Sequence, residues 1–244
     1  MVGGSAARGA WSARCVVGEH LAVLGAESPP VRLVLASASP RRRELLGRLG
    51  LAFDVVASVV DESLRYDVPA EALARDLALR KARDVAGRLD PAGGRAAVVL
   101  GADTLVVLDG RPIGKPGSRD DARAMLRSLA GRSHEVVTAV ALVEVPPGRE
   151  VVEAVLSQVV MRACSEAAIE AYLSTDEPYD KAGAYAVQGA GGALVLRVEG
   201  CYTNVVGLPV TTTARLLRAF GLMALEPPGL TAGAASDRGE PGRS

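Results

Sequence analysis

The 28 lysines and arginines of this 244-residue chain balance 28 aspartates and glutamates, so a generally basic nucleic-acid-binding surface is not indicated. Hydrophobic residues make up 49% of the chain and charged residues 23%, as in a globular domain large enough to bury a core. Two Phe and one Trp are too few for a base-stacking platform, and no apolar run is long enough to span a membrane.

The two ends of the chain differ in composition from its middle. Residues 1–17 contain Arg8 and Arg14 without an acid, yet no compact apolar segment follows as in a secretory signal. We expect residues 1–30 to be a disordered extension or the product of a misassigned start codon. Residues 223–244 are rich in Pro, Gly, Ala and Ser and predict a disordered tail. Residues 31–222 are therefore the expected folded domain.

The cysteines favour a reducing compartment. Cys15, Cys164 and Cys201 are odd in number and widely spaced, and they match neither a zinc site nor a disulfide framework. We therefore expect a cytoplasmic protein.

The first predicted elements alternate between strand and helix. An apolar strand covers Val31–Ala36, and a helix follows from Pro40, a residue suited to the first helical position. A second strand is predicted at Phe53–Val60. The spacing of leucines and alanines then predicts a helix from Pro69 to about Leu89.

The second half of the chain is richer in strands. Two long strands, at about Glu135–Val145 and Val151–Arg162, predict an antiparallel hairpin. The other predicted elements are strands at Ala97–Gly101, Thr104–Leu108 and Ala193–Glu199 and helices at Ser118–Ala130, Ser165–Leu173 and Val210–Phe220. Strands that alternate with helices, together with a long hairpin, predict an α/β fold around a mixed sheet.

A Ser-Ala-Ser-Pro-Arg-Arg segment at residues 37–42 is a candidate anion site. Ser39 can cap the helix that follows, whose amino terminus collects unpaired N–H groups and a partial positive charge. Arg41 and Arg42 add planar, permanently charged donors, which suit a phosphate. The alternative is an ordinary capped helix with solvated arginines, and the short motif taken alone favours that alternative.

Two acids are candidates for holding a divalent cation. Asp103 ends a buried predicted strand, the position from which open α/β sheets present ligands. A carboxylate there can hold a metal and orient or deprotonate a water. Glu62, at the end of the second predicted strand, is the candidate second carboxylate. The alternative for each acid is a solvated residue in a turn or loop.

Two lysines complete the charge pattern. Lys81 lies where the apolar stripe of its predicted helix requires a core residue. It therefore needs a partner such as a polyphosphate, unless its stem carries the ammonium to the surface. Lys115 follows the predicted hairpin at Asp109-Gly110. Together with the two arginines, these lysines can balance a triphosphate while the two acids hold a metal. This pattern fits metal-assisted attack of water on a phosphoanhydride, without a covalent nucleophile.

Other polar residues are less informative. His134 begins a predicted strand, and we expect it to hydrogen-bond within the fold rather than act as a base. The Gly-rich stretch Gly189–Gly192 matches neither a Walker A motif nor a dinucleotide fingerprint. No Ser-His-Asp or Cys-His arrangement is persuasive.

Six different short motifs follow one another along the chain. They are Ser37–Arg42, Gly101–Thr104, Gly114–Pro116, His134–Thr138, Glu177–Gly189 and Asn204–Pro209. In this order and spacing, from about Arg32 to Phe220, the chain resembles the Maf family of nucleoside triphosphate pyrophosphatases. The resemblance implies an elongated two-lobed α/β domain around a twisted mixed β-sheet, like that of Maf and inosine triphosphate pyrophosphatases.

The resemblance also implies roles for particular residues. Asp103 is the implied proton acceptor, and with Glu62 it is an implied ligand of a divalent cation, Mg, Mn or Co. The implied substrate-binding residues are Ser39, Arg41, Arg42, Lys81 and Lys115.

Base preference within the family depends on a Gln in the Ala-Gly-Ala-Tyr-x-x-Gln-Gly segment, which is Gln188 here. Members with this Gln resemble dTTP/UTP pyrophosphatases. The imide edge of thymine or uracil places one N–H donor between two carbonyls, and a Gln amide offers both an acceptor and donors to that edge. Arg41 and Thr104 are the other positions that the resemblance ties to specificity.

The activity expected from these observations is hydrolysis of dTTP and UTP to the nucleoside monophosphate and pyrophosphate. One alternative is a nucleotide-binding regulator of cell division and septum formation, and another is a house-cleaning pyrophosphatase for modified nucleotides. Asp103 favours an enzyme, because a pure binder needs no proton acceptor beside the phosphates. A nucleoside triphosphate is the expected partner, whereas a nucleic acid or a membrane is not, and homodimerisation stays open.

Overall fold

Seven strands form one mixed sheet in the computed structural model, which describes residues 31–89, 96–146 and 148–223. The extension predicted for residues 1–30 and the tail predicted after residue 223 lie outside the described residues. The strands are β1 Arg32–Leu35, β2 Asp54–Val55, β3 Ala97–Leu108, β4 Arg111–Ile113, β5 Ser133–Val145, β6 Glu150–Met161 and β7 Val195–Glu199. They are ordered β2-β1-β3-β5-β6-β7, with β4 paired to β3.

Six α-helices flank this sheet among the described residues. They are α1 Pro40–Gly47, α2 Ala70–Ala86, α3 Arg119–Leu129, α4 Glu166–Leu173, α5 Tyr202–Val206 and α6 Val210–Ala219. The pairs β1–β2 and β1–β3 are parallel, whereas β3, β5, β6 and β7 pair antiparallel. The predicted α/β fold with a mixed sheet is therefore confirmed. No helix in these ranges is long and apolar enough to cross a membrane.

Two expectations about the elements were wrong, and four short helices were not predicted. The strands predicted at Ala97–Gly101 and Thr104–Leu108 are one strand, β3, because pairing with β5 continues without a break from Ala97 to Val107. The strand predicted at Phe53–Val60 is only the two-residue strand β2, since it pairs with β1 only at Val34 and Leu35. Helix α5 and three short 3₁₀-helices were not predicted. The 3₁₀-helices are Glu177–Asp180, Ala182–Ala184 and Gly189–Leu194.

The sheet buries both of its faces. Helix α2 covers one face, where Leu73, Leu77 and Val85 pack against alternate residues of β3 and β5. The other face carries two separate cores at opposite ends of the long strands. Helices α1 and α6 cover the first, with Leu45, Leu46, Leu216 and Leu217, and α3 and α4 cover the second, with Leu126, Leu129, Ile169 and Leu173. The long strands thus run through two lobes.

The edge of β3 has a gap between these lobes. β1 pairs with Ala97–Leu100 and β4 pairs with Val106–Leu108, both on the side of β3 away from β5. Residues 101–105 therefore have no strand beside them on that side in the described part of the sheet. Side chains alternate there, so that Asp103 lies on the α2 face and Thr104 on the opposite face. The polar residues proposed from the sequence for binding and catalysis converge on the notch left by this gap.

Candidate active site

The notch opens into a cavity of about 400 Å³. All nine residues proposed from the sequence for binding, catalysis or specificity line it. They are Ser39, Arg41, Arg42, Glu62, Lys81, Asp103, Thr104, Lys115 and Gln188. The structure therefore brings together residues that span more than half of the chain, from Ser39 to Gln188.

The amino terminus of α1 forms one wall of the cavity. Ser39 has an extended backbone and caps the helix, its Oγ accepting a hydrogen bond from the Arg42 N–H at 3.4 Å. Pro40 occupies the start of the helix, as predicted. Pro40 has no N–H, and the N–H groups of Ser39, Arg42 and Arg43 bond Ser37 Oγ, Ser39 Oγ and the Ser39 carbonyl. Because β1 ends just before this helix, the Arg41 N–H and the positive end of the helix dipole lie beside the notch, in an arrangement suited to an anion.

The two arginines of this turn differ in their surroundings. Arg42 donates from Nε to the Gly207 carbonyl at 2.9 Å, from Nη2 to Thr104 Oγ1 at 3.0 Å and from Nη1 to Ser37 Oγ at 3.4 Å. Burial lowers the pKa of Arg42, with Asp103 and Glu62 opposing the effect. The Arg41 guanidinium makes no hydrogen bond to any described residue. Arg42 is thus held in place by the protein, whereas the donors of Arg41 are free for a ligand.

Thr104 belongs to a hydrogen-bond chain that supports Arg42. Thr138 Oγ1 donates to the Asn204 carbonyl at 2.8 Å, so its contact with Thr104 Oγ1 at 2.9 Å must receive the Thr104 proton. Asn204 is itself fixed by Nδ2, which donates to Val136 O and Ser157 Oγ, each at 2.9 Å. The Thr104 hydroxyl therefore offers a ligand an acceptor but no donor.

Sequence reasoning assigned no role to Thr138, Asn204 or Gly207. Their only signal was membership of the short motifs His134–Thr138 and Asn204–Pro209. The contacts that give them a role join segments far apart in the chain, and no local pattern reveals such contacts.

A buried lysine joins the two candidate acids. Lys81 Nζ lies 2.6 Å from both Glu62 Oε1 and Asp103 Oδ1. Lys81 and Asp103 are 4% and 5% exposed, whereas the Glu62 side chain is half exposed. The prediction that Lys81 faces inward is confirmed, and two carboxylates are the partners that its buried ammonium finds within the protein.

The positions of the two acids differ from those expected. Asp103 lies in the middle of β3 rather than at a strand end, and it meets the cavity because β1 has ended beside it. Glu62 lies in the connection between β2 and α2, well beyond the end of β2. Its side chain still reaches the cavity, through the ion pair with Lys81.

Gly101 makes the contact between Lys81 and Asp103 possible. A Cβ at this position would lie 2.2 Å from the Ala78 carbonyl oxygen and 2.7 Å from the Ala82 nitrogen, so only glycine lets α2 approach β3 this closely. The approach brings the helix residue Lys81 against the strand residue Asp103.

The ionisation of the two acids reflects these contacts. Burial raises the pKa of Asp103, although Lys81 and Arg42 oppose the rise. Burial also acts to raise the pKa of Glu62, but the hydrogen bond and charge of Lys81, with Lys115 and Arg42, outweigh it and lower that pKa. Asp103 is thus the better proton acceptor, since a raised pKa brings a carboxylate closer to neutral pH.

The donor set suits a hard divalent cation. Asp103 Oδ2 is buried and accepts no hydrogen bond from the described residues. Oxygen ligands of this kind suit Mg²⁺, which is commonly held by one or two carboxylates together with substrate phosphates. The described ranges contain no group of three or more potential metal-ligating side chains. Glu62 and Asp103 therefore fit an ion that also takes oxygens from the substrate or water.

Lys115 and Gln188 face the cavity with free polar groups. Lys115 follows β4, is exposed and makes no hydrogen bond to a described residue. Gln188 precedes the 3₁₀-helix Gly189–Leu194 with an extended backbone, and its amide is likewise without a partner among the described residues. Both side chains are available to a ligand.

His134 is structural, as predicted. Its Nε2 lies 2.6 Å from the hydroxyl of Tyr185, a residue that lines the cavity. Burial lowers the pKa of His134 to about 4, so the imidazole is neutral at neutral pH. It fixes Tyr185 in the cavity wall.

Comparison with known proteins identifies the family. The family model described as "Maf-like protein" matches residues 32–220, most of the chain. The chain belongs to the Maf family. This membership confirms the resemblance carried by the motifs.

Named Maf relatives cover most of this chain and almost all of their own length. The dTTP/UTP pyrophosphatase of Moorella thermoacetica is 52% identical over 191 residues, 78% of this chain and 96% of the relative. Proteins of the same name from Acetivibrio thermocellus and an Anaeromyxobacter species are 46% and 51% identical, covering 80% and 78% of this chain and 98% and 90% of themselves.

Proposed function

We propose that this chain is a nucleoside triphosphate pyrophosphatase that hydrolyses dTTP and UTP to the nucleoside monophosphate and pyrophosphate. The observation that carries the proposal is the shared cavity: free cationic groups, a buried carboxylate with a raised pKa and an unpartnered Gln amide line one space. Identities of 45–52% to relatives named dTTP/UTP pyrophosphatase support the choice of nucleotides.

The triphosphate binds at the amino terminus of α1. The Arg41 N–H and the helix dipole of that turn, the free guanidinium of Arg41 and the exposed ammonium of Lys115 stabilise its negative charge. Arg42, held by Thr104 and Gly207, presents its remaining donors from a fixed position. Such preorganised charges stabilise the transition state without reorganising during the reaction.

Asp103 acts as the general base in the hydrolytic step. A water oxygen forms a bond to the α-phosphorus, and the water proton passes to the Asp103 carboxylate. The bond from the α-phosphorus to the oxygen that bridges it to the β-phosphorus breaks. The electron pair of that bond leaves with pyrophosphate, whose developing charge is stabilised by Lys115 and the arginines. No covalent intermediate with the protein is required.

Glu62 and Asp103 are the residues that would hold a divalent cation such as Mg, Mn or Co. When bound, the ion neutralises phosphate charge and polarises the bond that breaks. Lys81 holds both carboxylates in place and offsets one of their two negative charges. The positive charge of Arg42 and that of a bound cation would offset the other, so that these acids can lie beside a polyanion.

Gln188 selects the base. Its unpartnered amide offers an acceptor to the single imide N–H of thymine or uracil and a donor to a neighbouring carbonyl. Cytosine reverses this pattern, with an unprotonated N3 and an amino group, so the amide pairs with it only in the opposite orientation.

The protein acts in the cytoplasm, a placement supported by the free thiols of Cys164 and Cys201. Cys15 lies outside the described residues. Homodimerisation stays an expectation, which sedimentation velocity tests.

A nucleotide panel tests the proposed function. Purified protein is incubated with dTTP, UTP, CTP, ATP, GTP and modified pyrimidine triphosphates, and the products are identified by phosphorus NMR. We expect pyrophosphate and the monophosphate, with the highest kcat/KM for dTTP and UTP. Orthophosphate as the product, or no turnover of any nucleotide, would contradict the proposal, and the second result would favour a binding regulator. A clear preference for modified nucleotides would favour the house-cleaning role.

A further inference from the structure

One carboxylate holds the segment that carries Gln188 on both of its sides. Glu177 Oε1 accepts hydrogen bonds from the Gly191 N–H and the Tyr172 hydroxyl, both at 2.9 Å, and Oε2 accepts one from the Ala190 N–H at 3.1 Å. On the other side of Gln188, the Ala186 N–H donates to the same Tyr172 hydroxyl at 3.3 Å. The backbone is therefore fixed both before and after Gln188.

The Glu177 carboxylate has no cationic partner among the described residues. The neighbouring lysine, Lys181, donates instead to the backbone carbonyl of Glu177 and pairs with Asp180. The charge of Glu177 is stabilised by two backbone N–H groups and a phenol. Hydrogen bonds to an ionised acceptor are stronger than neutral ones, so this carboxylate is well suited to fixing a backbone.

The fit between Glu177 and this backbone is close. Gly189 has φ +75°, and a Cβ there would lie 2.4 Å from Glu177 Oε2. Gly191 is equally restricted, since a Cβ would lie 2.5 Å from the Ala186 carbonyl oxygen. The segment is therefore shaped to fold around the carboxylate.

We propose that Glu177 is a positioning residue for base selection, acting through Gln188. Glu177 is not among the residues that line the cavity, whereas Gln188 lines it with an unpartnered amide. An amide can discriminate between bases only if its backbone holds it at a fixed place, and Glu177 supplies that constraint. The inference rests on the proposed function, because it concerns the selectivity of the same site.

The direct test is Glu177→Gln. Whichever way the new amide turns, an NH₂ replaces one carboxylate oxygen, so either the Ala190 N–H loses its acceptor or the Gly191 N–H and the Tyr172 hydroxyl lose theirs. We expect the ratio of kcat/KM for dTTP to that for CTP to fall about tenfold, mainly through a higher KM for dTTP. Hydrogen exchange of the amides between Ala186 and Gly191 should become faster in the same variant. An unchanged ratio, or unchanged exchange, overturns the inference.

A double-mutant cycle shows whether the effect passes through Gln188. If it does, adding Glu177→Gln to Gln188→Ala should change the dTTP-to-CTP ratio by less than about twofold. A further loss as large as that in the wild-type background would show that Glu177 acts by another route.

A matched control separates positioning from stability. Glu170 bonds Arg119 and Arg123 between α3 and α4, outside the cavity lining. Glu170→Gln should lower thermal stability and leave the ratio of kcat/KM for dTTP to that for CTP unchanged.

If Glu177→Gln does not fold, Tyr172→Phe replaces it in the test, because this change removes the hydroxyl shared by Glu177 and Ala186. If the wild-type protein does not hydrolyse dTTP, the proposed function is wrong. The hydrogen-exchange measurement still shows whether Glu177 fixes the backbone around Gln188, because it does not depend on turnover.

Discussion

Lys81 donates a hydrogen bond to Asp103 across 2.6 Å, and both side chains are almost fully buried. Removing one partner of such a pair typically costs about 3–5 kcal/mol, because it leaves an uncompensated charge inside the protein. The contact joins α2 to β3 at the point where the cavity meets the sheet. The ion pair is therefore part of the packing that forms the site.

Asp103→Asn should abolish turnover while nucleotide binding persists. The amide keeps the shape of the side chain and can still accept from Lys81, but it cannot take the proton of the attacking water. Loss of a general base typically costs about 10²–10⁴-fold in rate. Steady-state kinetics and calorimetric titration with dTTP separate the two effects. Asp120→Asn, a change at an exposed acid on α3, is the control; near-normal activity of Asp103→Asn would exclude this base.

The acid limb of the pH profile should follow Asp103. Burial raises the pKa of this carboxyl while Lys81 holds it down. Since the ionised form is active, kcat/KM falls as the pH drops through this pKa, and Lys81→Met should move that fall to higher pH. The contribution of Asp103 to stability depends on pH in the opposite direction to activity. The pKa of Asp103 in the folded protein lies above the ordinary value of about 3.9, so this contribution decreases as the pH rises from that value through the folded-state pKa. An unmoved limb in Lys81→Met would assign it to another group.

Gly101→Ala should disturb both stability and activity. Its Cβ would lie 2.2 Å from the Ala78 carbonyl oxygen, so α2 must move away from β3 and carry Lys81 from Asp103. Overpacking of this kind costs about 1–3 kcal/mol, measured as the free energy of unfolding in urea. Gly47→Ala is the control, since a Cβ in α1 meets nothing within 4 Å and alanine favours a helix. Equal stability of the two variants would show that the close approach is unimportant.

Activity should require a divalent cation. Asp103 has a buried oxygen without a hydrogen-bond donor among the described residues, and Glu62 adds a second carboxylate. We expect EDTA to stop pyrophosphate release from dTTP and added Mg²⁺ or Mn²⁺ to restore it. Full activity in excess chelator would mean that the cationic side chains suffice.

Gln188→Glu should reverse part of the base preference. The carboxylate removes the amide donors and faces the carbonyls of thymine or uracil with an acceptor. Each group left unpaired costs about 1–3 kcal/mol, which corresponds to a loss of roughly one to two decades in kcat/KM for dTTP and UTP. CTP, which offers an amino donor, should lose much less. Equal losses for all nucleotides would instead assign Gln188 a structural role.

The sequence predicted which residues form the candidate site better than it predicted where the fold places them. Charge and motif spacing selected residues that do converge on one cavity, because motifs record chemistry that the fold must assemble. Asp103 was nevertheless expected at the end of a strand, and this was wrong. The strand predicted to end at Gly101 continues, because Gly101 and Ala102 also pair with β5. Pairing between distant strands overrides such local signals.

Two further features were beyond sequence reasoning for the same physical reason. Helix α5 is only five residues long, too short for a helical period, and packing against β5 and β6 stabilises it. The carboxylate partners of Lys81 were not predicted, because they lie on a strand and a connection that local pattern cannot bring together. Both depend on tertiary contacts.

The alternation of Asp103 and Thr104 across β3 limits which changes in chain length the protein tolerates. Asp103 meets Lys81 on one face and Thr104 meets Arg42 on the other, and pairing with β5 sets this assignment. Inserting or deleting a single residue between Ala97 and Asp103 would exchange the two faces, because side chains alternate along a strand. Natural variants in chain length should therefore avoid this strand, even where they leave its composition unchanged.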